Sequence, residues 1–189
     1  DPHHAGVTPS DFPLARLDQA HLDQLLDDPR AVEDVYPLSP MQQGMLFHSL
    51  YGQGNGDYIN QMRVTVEGLQ VERFRAAWQA SADAQPILRS RFAWEGDIGQ
   101  PLQIVQRQVQ VPFDYLDWHA EAEPGARLDA LAEAERARGF DLREAPLLRM
   151  TVVRTGEQCF ELIYTNHHIL MDGWSNSQLM GEVLQRHAG

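Results

Sequence analysis

Apolar positions along this chain recur at two spacings, and the spacing switches several times. Between Leu17 and Asp28, Leu22, Leu25 and Leu26 share a helical face, and "DDPR" ends the run. In "VEDVYPLSPMQQGMLFHSLY", Ser39 suits an N-cap, Pro40 the first helical position, and Gln42 completes a capping box. Met41, Met45, Leu46 and Leu50 then fall on one face of the predicted helix. "GQGNGD" is a turn-rich loop, and "YINQMRVTVEG" follows it. There Met62, Val64 and Val66 alternate with Arg63 and Thr65, the period of a strand. Val71–Ala84 returns to helical spacing through Val71, Phe74, Ala77 and Trp78, until Pro86 forbids continuation. "ILRSRFAWE" and "PLQIVQRQVQVPFDYLD" read as strands around "GDIG". Residues 124–138 form a charged, Ala-rich helix by propensity. "PLLRMTVVR" and "CFELIYTN", joined by "TGEQ", read as a hairpin. From Trp174 to His187 the pattern is helical again, with Leu179, Val183 and Leu184 on one side. The order implies an α/β or α+β sandwich, with helices flanking a mixed sheet.

Charge and composition narrow the function. The chain has 189 residues and a net charge of −12, from 15 basic and 27 acidic residues. A phosphate backbone needs a basic face, so nucleic acid is not an expected partner. No apolar run approaches the ~18 residues of a membrane span, so neither is a membrane. The single cysteine, Cys159, excludes an internal disulfide and fits a reducing, cytoplasmic compartment. Its apolar strand context marks it as a small buried hydrophobe. The opening "DPHHAGVTPSDFPLARL" is polar, Pro-bearing and unstructured in character, as expected of a linker within a longer polypeptide.

The chemistry concentrates in "YTNHHILMDGWS". His167 and His168 follow a strand, where neighbours point to opposite faces. One should face the core and the other a cleft. Asp172 and Gly173 suit a tight turn, Trp174 can anchor it, and Ser175 can cap the next helix with Gln178. A metal could draw on His167, His168 and Asp172, but adjacent strand histidines diverge, and no helical HxxxH or cysteine pair adds ligands. An ordinary strand ending in a turn is the bland reading. Acyl transfer is the sharper one. Imidazole can take the proton an attacking amine loses, and a glycine N–H can face a developing oxyanion. Of the other histidines, His48 is worth following, because its helix would border the cleft.

Three blocks carry a resemblance. "HHILMDG" (His167 to Gly173) resembles the HHxxxDG motif of nonribosomal peptide synthetase condensation domains. "YPLSPMQQGMLFHSL" (Tyr36 to Leu50) resembles that family's opening helix motif, and "PILRSRF" (Pro86 to Phe92) its arginine block. "TPSDFPLARLDQAHLDQLL" is similar to the linker between a carrier protein and such a domain.

The resemblance implies a chloramphenicol acetyltransferase-like fold, in which two lobes enclose a tunnel. Residues 1–30 would be the carrier-to-condensation linker with its short helix. Residues 31–189 would be the N-terminal lobe, without the C-terminal lobe. Implied partners are donor and acceptor peptidyl carrier proteins, the C-terminal lobe and an adjacent adenylation domain. Phosphopantetheine would arrive on the carriers, and the lobe itself would bind no cofactor. His168 would face the tunnel as base or orienting group, with Gly173 near the oxyanion. His167, Asp172, Arg89 and Trp174 would be structural, Arg89 being a candidate partner for Asp172. Ala84 and Gln85 depart from the Arg-His pair usual before the arginine block. "SPMQQGMLFHSL" and "HHILMDGWS" look most like domains taking a D-configured donor. An epimerization-domain lobe, or a fragment that only binds carriers, is the alternative. The isolated chain is expected to be inactive.

Overall fold

A computed structural model describes residues 6–52, 58–96, 98–171 and 175–189. Among these residues the chain forms two sheets. In the smaller, β1 (Val32–Pro37), β4 (Leu102–Gln106) and β3 (Ser90–Ala93) lie antiparallel in the order β1-β4-β3. In the larger, β2 (Ile59–Glu67), β7 (Cys159–His167), β6 (Leu148–Arg154) and β5 (Phe113–Asp117) follow the order β2-β7-β6-β5. Its pairs are antiparallel except β5 with β6, which is parallel. The helices are α1 (Gln19–Leu25), α2 (Pro40–Tyr51), α3 (Val71–Ala84), α4 (Gly125–Arg138) and α5 (Asn176–Ala188). None among the described residues is long and apolar enough to cross a membrane.

The larger sheet is covered on both faces, so β6 and β7 are buried along most of their length, with the polar Arg149, Thr151, Thr165 and Asn166 included. Tyr164 on β7 packs on Trp78 of α3, with ring centroids 4.9 Å apart. Phe74, Leu162, Leu179 and Val183 close the same core between the sheet, α3 and α5. On the opposite face, Gln61 donates to the Ala132 carbonyl of α4 at 2.7 Å, and Arg63 pairs with Asp129 at 2.8 Å.

The expected helices and strands are present among the described residues, whereas the "GQGNGD" loop from Gln53 to Asp57 and Asp97 of "GDIG" lie outside them. Three differences have physical causes. First, β1 is a strand that alternation does not mark. A register irregularity between Val32 and Asp34 places its buried residues, Val32 and Val35, three apart. Second, the opening segment is not unstructured where it is described. Short 3-10 turns at Pro9–Asp11 and Pro13–Ala15 bury Phe12 and Ala15. With Leu22, Leu26, Val35 and Ile104, these form a separate small core on the smaller sheet. Third, α2 is rotated from its expected face: Met41 is 57% exposed and Gln42 is buried. Gln42 serves the capping box through its Oε1, which accepts from the Ser39 N–H at 3.0 Å. Its Nε2 donates to Gln103 at 3.2 Å, and Gln103 donates to Ser90 at 2.8 Å. A buried amide with both ends partnered is tolerated where an unpaired one would not be.

The packing yields an expected outcome. Trp78→Ala should cost about 3–5 kcal/mol in urea unfolding, because the cavity would sit between Phe74 and Tyr164. Met41→Ala should stay within about 0.5 kcal/mol. Equal losses for the two would contradict the packing.

Candidate functional site

The site is built where the β2–β7 ladder ends. Ile59 stands opposite His167, and Asn60 opposite Asn166. Pairing runs one step further: the His168 N–H donates to the Tyr58 carbonyl at 2.7 Å. His167 is therefore the last strand residue, and His168 opens the 3-10 turn His168–Met171.

The two rings diverge, as strand geometry requires. His167 is 4% exposed and turns toward α2. The Ile169 N–H donates to its Nδ1 at 3.0 Å, so the ring proton sits on Nε2 and is given to Ser49 Oγ at 3.2 Å. Burial, then the neighbouring His168, pushes its pKa down to about 4. The Tyr58 ring stacks on it, with centroids 6.3 Å apart, and His48 stacks on Tyr58 at 6.4 Å. His48 thus reaches the site through Tyr58. A cleft of about 410 Å³ opens on this side, with Ser49, Tyr58, Trp94, Phe140, Arg143 and His167 in its walls. His168 is half-buried and lies elsewhere, its Nδ1 2.7 Å from Asn60 Nδ2.

Behind the histidines lies a polar pair that sequence reasoning did not mark. Asn166 is fully buried, and its Nδ2 donates to Tyr164 Oη at 2.7 Å and to Asn176 Oδ1 at 2.6 Å. Asn176 is the first residue of α5, so the pair ties the strand end to the next helix. The available signal was a polar residue inside an apolar central strand. The expected cap is present: Ser175 Oγ accepts from the Gln178 N–H, and Gln178 Oε1 from the Ser175 N–H, both at 3.1 Å. Asp172, Gly173 and Trp174 lie outside the described residues.

Arg89 is 4% exposed and is held by partners outside the histidine segment. It donates to the carbonyls of Ala82 at 3.0 Å and Gln106 at 2.5 Å, and to Glu33 Oε2 at 3.2 Å. It joins the end of α3 to the smaller sheet, and none of these partners belongs to the motif. Among the described residues, no group of three His, Cys, Asp or Glu side chains is placed to hold a metal ion.

Solved structures share this architecture. The starter condensation domain of rhizomide synthetase RzmA matches with a TM-score of 0.69 at 24% identity, over 80% of this chain and 38% of that one. The tallysomycin biosynthesis protein TlmII matches with a TM-score of 0.69 at 25% identity, over 82% of this chain and 38% of that one. The class is the chloramphenicol acetyltransferase-like α/β fold. A family model described as "Condensation domain" matches residues 32–186. One linear gramicidin synthase polypeptide of Brevibacillus parabrevis is 48% identical over 172 residues, 90% of this chain and 2% of that protein. A second linear gramicidin synthase polypeptide of the same organism is 43% identical over 99% of this chain and 4% of its own length. The chain belongs to the condensation-domain family, and spans only a few per cent of these curated relatives.

Two outcomes follow from the geometry. The folded His167 binds its proton near pH 4 and an unfolded one near 6.5, so between those values the unfolded state holds more protons. The stability from keeping His167 neutral is fully present above pH 6.5 and lost as pH falls toward 4, by on the order of 3 kcal/mol. His167→Asn should flatten this part of the stability–pH curve relative to wild type, and parallel curves would contradict the assignment. Arg89→Met strands buried carbonyls and should cost about 2–4 kcal/mol. Glu33→Gln should cost less than about 1 kcal/mol, since Glu33 is 41% exposed.

Proposed function

We propose that this chain is the N-terminal lobe of a two-lobed condensation domain. Its parent joins a donor acyl or peptidyl thioester to an acceptor aminoacyl amine. The observation that carries the reading is the HHxxxDG segment at the end of a central strand, in a chain whose family match runs from residue 32 to 186. Coverage of 38% of a solved condensation-domain chain supports the assignment to one lobe of two. Both substrates would arrive on phosphopantetheine arms of peptidyl carrier proteins, with an adenylation domain nearby. The lobe itself needs no bound cofactor.

His168 is the residue proposed to meet the reacting groups. It is half-buried at the strand end, and no described residue is hydrogen-bonded to its Nε2. His167 is structural: buried, neutral, and committed through both ring nitrogens. Gly173 would bring a backbone N–H to the developing oxyanion, with Asp172 and Trp174 holding the turn. Arg89 would serve the lobe as a structural residue, through its hold on α3 and the smaller sheet. The donor is proposed to be D-configured, from the likeness of "SPMQQGMLFHSL" and "HHILMDGWS" to that subtype.

The test is formation of an amide by the intact parent, with loaded donor and acceptor carriers presented to it. His168→Ala should lower turnover by about 10²-fold or more. A D-configured donor should outrun its L isomer. Residues 1–189 alone should form no product, since a tunnel open on one side lacks the enclosed low-dielectric setting that strengthens catalytic electrostatics. Unchanged turnover in the His168 variant would overturn its role.

A further inference from the structure

We propose that Asn60 fixes His168 with its ring proton on Nε2, so that this histidine gives a hydrogen bond to the reacting thioester and does not accept the amine's proton. The inference rests on the function proposed above and specifies what His168 does there.

The contact is short and its chemistry is one-sided. Asn60 Nδ2 lies 2.7 Å from His168 Nδ1. An amide nitrogen carries two hydrogens and no usable lone pair, so it can only donate. Nδ1 is therefore the acceptor, and a neutral ring must carry its hydrogen on Nε2. Both partners are held by the backbone. Asn60 is clamped in the β2–β7 ladder opposite Asn166, and His168 is pinned by its own N–H to the Tyr58 carbonyl at 2.7 Å. Tyr58 immediately precedes β2 and Asn60 is its second residue, so one piece of chain holds His168 at its main chain and at its ring. No described residue is hydrogen-bonded to Nε2. The neighbouring ring cannot relay a proton, because His167 Nδ1 accepts from the Ile169 N–H and its Nε2 hydrogen goes to Ser49.

The reaction balances without a side-chain base. The amine nitrogen forms a bond to the thioester carbon, and the carbon–sulfur bond breaks. One proton leaves the amine, and one is gained by the departing sulfur. In the tetrahedral intermediate the carbonyl oxygen is negative, and the Nε2 hydrogen is available to it. Removing such a donor costs about 10²–10³ in turnover, which overlaps the cost of losing a general base. Loss of activity in His168→Ala thus fits either role, whereas the ring tautomer separates them. Asn60 is a positioning residue in this scheme, since it acts only through His168.

The experiment is long-range proton–nitrogen correlation NMR on the 189-residue chain with 15N-labelled histidine, using His168→Gln to assign the ring. Wild type should show His168 Nδ1 unprotonated and Nε2 protonated at a pH where the ring is neutral. Asn60→Asp replaces the donor by an acceptor and should move the hydrogen to Nδ1. Asn60→Leu should leave a mixture. In both variants His167 should keep its hydrogen on Nε2, which shows that the strand end is still folded. In the intact parent, Asn60→Asp should lower kcat on the order of 10²-fold with little change in KM for the loaded carriers. A protonated Nδ1 in wild type, a tautomer unmoved by Asn60→Asp, or faster turnover in that variant would each overturn the proposal. A parent that forms no amide at all would overturn the function and the donor's target together, while the tautomer result stands or falls independently.

Discussion

The site depends on the register of β2 against β7. Ile59 faces His167 and Asn60 faces Asn166, and the placement of His168 follows directly from that ladder. Side chains alternate with a period of two, so a slip of one residue would exchange the surroundings of the two histidines. His168 would then meet α2, and His167 the exposed end of the strand. Several contacts hold the register. The Tyr164 ring fits against Trp78 on one face, Gln61 reaches the Ala132 carbonyl on the other, and the His168 N–H finds the Tyr58 carbonyl at the end.

Around that ladder, polar groups are buried where they connect elements. Asn166 joins β7 to the start of α5, Gln42 joins α2 to the smaller sheet, and Arg89 joins the end of α3 to β1 and β4. A buried amide or guanidinium is costly unless partnered, so each fixes one relative placement of the elements it bridges. His167 belongs with these. Its ring is held by the Ile169 amide on one nitrogen and by Ser49 on the other, and it spans from β7 to α2. Its low pKa follows from burial and marks a structural residue at neutral pH.

The smaller sheet carries a second apolar core. Phe12, Ala15, Leu22 and Leu26 cover Val35 and Ile104 and turn the opening segment from a tether into part of the packed body. Arg89 and the Gln42–Gln103–Ser90 chain tie the helices of the main core to this sheet, so the two cores are not independent.

Local elements and the chemistry on offer are written in the order of residues. Ser39 and Ser175 start their helices through capping boxes because those interactions span three residues, and the alternation of Met62, Val64 and Val66 marks a strand because the pleat is local. The divergence of His167 and His168 was legible for the same reason. What each histidine meets is a matter of tertiary structure. Asn60 lies 108 residues from His168, and Ser49 lies 118 from His167, separations over which no spacing rule operates. The burial of Gln42 beside an exposed Met41 has the same origin, because Gln103 and Ser90 supply partners that the helix cannot see in its own sequence. Periodicity reports which faces a residue can take. Only the fold brings the partner that makes one of them favourable.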